Sequence, residues 1–127
     1  MTREAAGPFD VKIVPVRDDG PIGRMSLAKT FSGDLAGSSE GQMLVFMAEV
    51  KGSAGYVAME RITGTLNGRQ GSFVVQHLGL MDRGAESLTV VVIPDSGTDG
   101  LTGISGTMDI KVDGGAHSYL LRYTLPG

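Results

Sequence analysis

The dipeptide Asn67-Gly68 constrains this chain more than any other feature. Both residue types tolerate a positive φ, and they stand between two runs rich in β-branched and aromatic residues. That is the pattern of a hairpin closed by a two-residue type I′ turn. Placing Leu66 opposite Arg69 sets the register by counting. Glu60 then faces Val75, Ala58 faces His77 and Arg61 faces Val74. Side chains alternate across a strand. One face carries Tyr56, Ala58, Glu60, Ile62, Phe73, Val75 and His77; the other carries Val57, Met59, Arg61, Thr63, Val74, Gln76 and Leu78. The first face holds the aromatics, with Gly64, Gly71 and Gly79, and is expected to point inward. Glu60 and His77 then sit diagonally across the pair, within reach of one another.

The rest of the chain repeats this grammar. Its 20 glycines fall at intervals close to strand length, without a repeat. No segment sustains helical periodicity. Residues 1–7 read as a flexible lead-in, Phe9–Val16 as a first strand, Arg17–Pro21 as a turn and Arg24–Phe31 as a second strand. Lys29 interrupts the apolar face of Met25, Leu27 and Phe31. Ser32–Gly41 reads as a turn-rich connection. Gln42–Val50 follows as a strand apolar on both faces, which usually means cover on both sides. Glu86–Ile93, Thr107–Val112 and His117–Leu125 complete the set. In the last two, Met108, Ile110 and Val112 share a face with His117, Tyr119, Leu121 and Tyr123.

About eight antiparallel strands in one domain expose too many edges as an open sheet. Closure into an all-β, up-and-down barrel removes them, at a size that encloses packed side chains or one small ligand. Tryptophan is absent, and Phe and Tyr total only 4 and 3, so a cavity is favoured over a solid plug. The absence of cysteine excludes disulfides, thiolate zinc sites and cysteine nucleophiles. A net charge of −3 without a basic stripe argues against nucleic acid. No apolar segment follows Met1-Thr2-Arg3-Glu4, and no run is long enough to span a membrane as a helix. A cytoplasmic protein with no membrane partner is expected.

Five segments carry a resemblance. They are Lys29–Gly37, Gly52–Tyr56, Glu60–Gly64, Gly68–His77 and Pro94–Thr98. Together they resemble an uncharacterised family of small bacterial proteins grouped with the allene-oxide-cyclase-like, calycin-type barrels. One departure is Asp99-Gly100, where the family usually has Gly followed by an acidic residue. The resemblance implies an eight-stranded barrel. The wider group includes plant allene oxide cyclase and bacterial polyketide cyclases. No motif of those enzymes falls on numbered positions here, so fold analogy alone links them.

The candidate chemistry lies on the central hairpin. A carboxyl in an apolar wall has its pKa raised by desolvation, which would make Glu60 a general acid or base. His77 would share its proton, and Tyr56 would orient a ligand carbonyl. The competing role for Glu60 is structural pairing with Lys29, Arg61, Arg69 or backbone. Phe73, Val75, Met108, Tyr119, Leu121 and Tyr123 are the expected ligand-binding lining. No metal is expected from two histidines and no cysteine, unless His77, Glu60 and His117 converge. No cofactor is expected. The leading function is an apolar small-molecule barrel acting as a cofactor-independent cyclase or isomerase. The alternatives are a carrier barrel, and a packed barrel serving assembly. The two-faced third strand points to a homo-oligomer, dimer or trimer.

Overall fold

The computed structural model describes residues 1–17 and 20–126. Eight strands, β1 (Arg3–Arg17), β2 (Gly23–Phe31), β3 (Leu35–Met47), β4 (Ala54–Leu66), β5 (Arg69–Asp82), β6 (Ala85–Val92), β7 (Ser105–Asp113) and β8 (Ala116–Thr124), close into an antiparallel barrel. Each strand pairs with its neighbours in sequence, and β1 pairs with β8. The β4–β5 register is the one counted from the turn: Glu60 opposite Val75, Ala58 opposite His77, Leu66 opposite Arg69. Asn67 and Gly68 take φ of 46° and 86°, as a type I′ turn requires. The inward face of this hairpin is the one with Glu60, Ile62, Phe73, Val75 and His77, all buried.

Two boundaries differ from the sequence expectation. The lead-in is a strand, because Arg3 to Phe9 pair with Tyr123 to His117 and close the barrel. The connection before the third strand is also strand: β3 begins at Leu35 and ends at Met47. The glycines there mark close strand approach. A Cβ on Gly37 would meet the Thr63 carbonyl oxygen at 2.2 Å, and one on Gly41 the Met59 carbonyl oxygen at 2.2 Å. Asp18 and Asp19, the centre of the expected first turn, lie outside the described residues.

The interior divides in two. Its lower half, beside the β4–β5 turn, is filled by Phe9, Phe31, Phe73, Tyr119, Tyr123 and aliphatic neighbours. The loop after β6 folds beneath it through a 3-10 turn at Asp99–Leu101 and plugs the floor with Leu101 and Ile104. The loop is held to β5 by Thr98 N donating to the Ser72 carbonyl at 2.9 Å and Ser72 N donating to Thr98 Oγ1 at 3.0 Å. Gly71 makes room, since its Cβ would stand 2.2 Å from the Thr98 carbonyl oxygen. At the other end the barrel stays open, and inward side chains such as Ile13, Leu88 and Val112 reach solvent. Below this mouth β6 and β7 are joined by one register pair, Val91 with Thr107, and above that pair the wall is thinly closed.

Candidate functional site

Among the described residues the buried polar or charged side chains Lys29, Ser39, Glu60 and His77 form one cluster between the packed and open halves. They come from β2, β3, β4 and β5, so the cluster exists only once the barrel wall has formed. Gly41 faces Glu60 across the β3–β4 ladder and carries no side chain to separate the carboxylate from Ser39 and Lys29. Glu60 Oε1 accepts from Lys29 Nζ at 3.1 Å and from His77 Nε2 at 2.8 Å. Ser39 Oγ donates to Glu60 Oε2 at 2.5 Å, a charge-assisted length. The ammonium also sits 4.9 Å above the centroid of the Phe9 ring.

The chain of polar groups continues toward the mouth. Tyr56, one inward row above Ala58, brings its hydroxyl to 3.4 Å from His77 Nδ1. The Tyr56 ring lies over Gly79, its register partner; a Cβ there would stand 2.2 Å from Tyr56 Cε1. Around Tyr56 the mouth holds a cavity of about 390 Å³, lined by Met25, Met43, Val45, Met81 and Leu88. Glu86 and Ser87 supply polar groups to its lining. A larger concavity of about 710 Å³ also borders Tyr56 and Gly79, and includes Phe46, Val57, Leu78 and Leu80 among its lining residues.

Electrostatics settle the state of the carboxyl. Burial alone would raise the pKa of Glu60, the direction expected from an apolar wall. Here the His77 hydrogen bond, the Lys29 charge and the Ser39 hydroxyl outweigh burial and hold it below the ordinary carboxylate value. The expected up-shift is therefore corrected: Glu60 is a carboxylate with three donors. Burial, with a smaller contribution from Glu60, raises Tyr56, so the phenol keeps its proton. An ionised Glu60 fixes the hydrogen of His77 on Nε2. Nδ1 is then the acceptor that faces the Tyr56 hydroxyl.

Of the expected site residues, the structure brings Glu60, His77 and Tyr56 together. Of the expected ligand lining, Val75 meets them as the register partner of Glu60. Phe73, Val75, Met108, Tyr119, Leu121 and Tyr123 are buried in the lower core and border no part of the mouth cavity. Tyr119 is a fastener: its hydroxyl accepts from Leu35 N at 2.8 Å and donates to the Ser32 carbonyl at 2.7 Å. The Tyr123 hydroxyl accepts from Asn67 Nδ2 at 2.7 Å. His117 stacks on Phe9 at 5.2 Å. Among the described residues no group of three or more His, Asp or Glu side chains is arranged to hold a metal. The lining residues Met25, Met43 and Val45 belong to faces visible in the strand alternation. Lys29 was visible as a charge on an apolar face.

Comparison with known proteins extends these observations. No curated protein matches the chain. A crystal structure of a protein of unknown function from the DUF3224 family of Shewanella oneidensis MR-1 is similar to it, with a TM-score of 0.94 and 44% identity over 100% of both chains. A family model described as a protein of unknown function, DUF3224, matches residues 5–123. On this match the chain belongs to the DUF3224 family.

Proposed function

We propose that the open half of the barrel binds a largely apolar small molecule whose polar head meets Tyr56. The observation that carries the reading is the Tyr56–His77–Glu60 chain. It ends in a half-buried phenol on the wall of a cavity of about 390 Å³ lined mainly by methionine and aliphatic side chains, with Glu86 and Ser87 at one side. Lys29 holds Glu60 ionised, and Glu60 holds the ring of His77. Tyr56 is the group offered to the ligand. Against a carbonyl oxygen the phenol donates, turning its hydrogen from His77 Nδ1 to the ligand. In its catalytic form this is a cofactor-independent isomerase or cyclase that folds its substrate in the cavity. A carrier shares the same pocket. The full satisfaction of Glu60 by its three donors favours that second reading, with Tyr56 acting in recognition only.

Binding of 2-acetylnaphthalene and of 2-ethylnaphthalene separates these ideas from an inert mouth. Each is titrated into the protein while the ring nitrogens of His77 are followed by ¹⁵N NMR. One hydrogen bond to the carbonyl is worth about 1 kcal/mol, or roughly fivefold tighter binding of the ketone. Tyr56→Phe should abolish that preference while leaving affinity for the hydrocarbon intact. Equal affinities in the parent protein, with no change at His77, would refute the proposal. Loss of a deuterium label α to the carbonyl would mark turnover rather than carriage.

A further inference from the structure

The outer wall of β3, β4 and β5 carries a patch that the barrel itself does not use. Leu44, Val57 and Leu78 stand in one cross-strand row, with Phe46 and Leu80 flanking Gly55 in the next and Met59 below. These six side chains are each 45–57% exposed. Together they expose on the order of 500 Å² of apolar surface, at the top of what one patch on a monomer shows. That is more than half of the roughly 800 Å² that each partner gives to a standard interface.

Charge sharpens the reading. Across three cross-strand rows of four strands the outward positions are Gln42, Leu44, Phe46, Gly55, Val57, Met59, Gln76, Leu78, Leu80, Ser87, Thr89 and Val91. None of these is charged; the next outward position of β5, at the rim, is Asp82. The opposite wall carries Glu4, Asp10, Lys12, Asp109, Lys111 and Arg122 on the outward faces of β1, β7 and β8. Charge depletion at the centre with polar amides at the edge is the composition of an interface core and rim. Gly55 opens a notch between Phe46 and Leu80, within a concavity of about 710 Å³ that side chains of a facing sheet would fill. Among the described residues Asp82 is the one charged residue lining that concavity, so a partner recognised by charge has little to grip, whereas a second copy presents the same apolar face.

We infer that this face is a two-fold interface between two copies of the chain. The patch is self-complementary in chemistry, and an isologous pair buries it on both subunits at once. The two outer sheets pack face to face about 10 Å apart. The interface abuts the mouth of each barrel, because the concavity it fills also borders Tyr56 and Gly79.

Light scattering of the protein eluting from a sizing column, at loadings from 1 to 200 μM, tests this. The expected mass is twice 13.2 kDa. Val57→Lys places one uncompensated ammonium on each side of the seam and should weaken the dimer at least a hundredfold. Thr107→Lys, on the outward face of β7, should leave the mass unchanged. If Val57→Lys lowers the urea midpoint, Leu80→Lys at the patch edge supplies the same reading. A 13.2 kDa species at every loading would overturn the inference. So would a dimer indifferent to both lysines, or a monomer that binds phosphatidylcholine–phosphatidylglycerol vesicles through this face.

Discussion

Glu60→Gln and Lys29→Met should destabilise the barrel unequally, and the inequality tests the site. The carboxylate has three donors, Lys29, His77 and Ser39, so losing the lysine leaves two. The ammonium has one carboxylate and otherwise the faces of Phe9 and Phe31, at 4.9 and 5.9 Å. Its side chain is 6% exposed. Glu60→Gln therefore strands a buried positive charge, which costs about 3–5 kcal/mol less the ~1 kcal/mol that the aromatic faces return. Lys29→Met removes one donor from a carboxylate that keeps two and should cost about 1–2 kcal/mol. The double substitution should recover about 2 kcal/mol relative to Glu60→Gln alone. The chain has 3 tyrosines and no tryptophan, so urea unfolding is followed by tyrosine fluorescence and circular dichroism. For a domain of this size each kcal/mol moves Tm by roughly 3–5 °C, so the Glu60→Gln loss is about 10 °C. A Glu60→Gln protein within 1 kcal/mol of the parent, or a larger loss in Lys29→Met, would refute the account of Glu60 as a carboxylate anchored by Lys29.

Three further outcomes follow from the same geometry. The Glu60 pKa is depressed by folding, so its contribution is fully present above its ordinary value of 4.5 and is lost as pH falls through the lower folded value. The urea midpoint of the parent should fall more steeply below pH 4.5 than that of Glu60→Gln, and parallel curves would contradict the shift. Gly79→Ala sets a Cβ 2.2 Å from the Tyr56 ring and should swing the phenol away from His77. Stability should change by less than ~1 kcal/mol, because the obstruction is a movable side chain, while the preference for a carbonyl ligand disappears. Asn67→Ala puts alanine at a φ of 46° and deletes the bond to the Tyr123 hydroxyl. It should cost about 1–2 kcal/mol, measured by urea unfolding, whereas Asn67→Gly should cost less.

The sequence made some of this legible and hid the rest for identifiable reasons. Turn chemistry at Asn67-Gly68 propagates through strict alternation, so thirteen residues on each side of the ladder fall in register. The first segment of β1 and of β3 was hidden because each lacks the composition of a strand. Ala5, Ala6, Gly7 and Pro8 become strand only against β8, a partner more than a hundred residues away. Gly37 and Gly41 resemble turn residues, yet they are selected by carbonyls pressing from β4. Burial of Glu60 was readable from its face. Its ionisation was not: His77 was legible within reach and Lys29 was one of several possible partners, but the Ser39 hydroxyl came from a segment that read as a turn. The small number of aromatics suggested an empty lumen. The chain instead concentrates Phe9, Phe31, Phe73, Tyr119 and Tyr123 in one half and leaves the other to methionine.

The single pair joining β6 to β7 has a consequence for life among other copies of the chain. Above Val91 and Thr107 each strand offers a row of backbone donors and acceptors without a register partner, the kind of edge on which a foreign strand can template itself. Outward Asp109, Lys111 and Asp113 line one side of that gap. A second β7 approaching edge to edge would have to desolvate these charges. The same strand that leaves the barrel thinly closed thus carries its own guard against strand exchange and fibril growth.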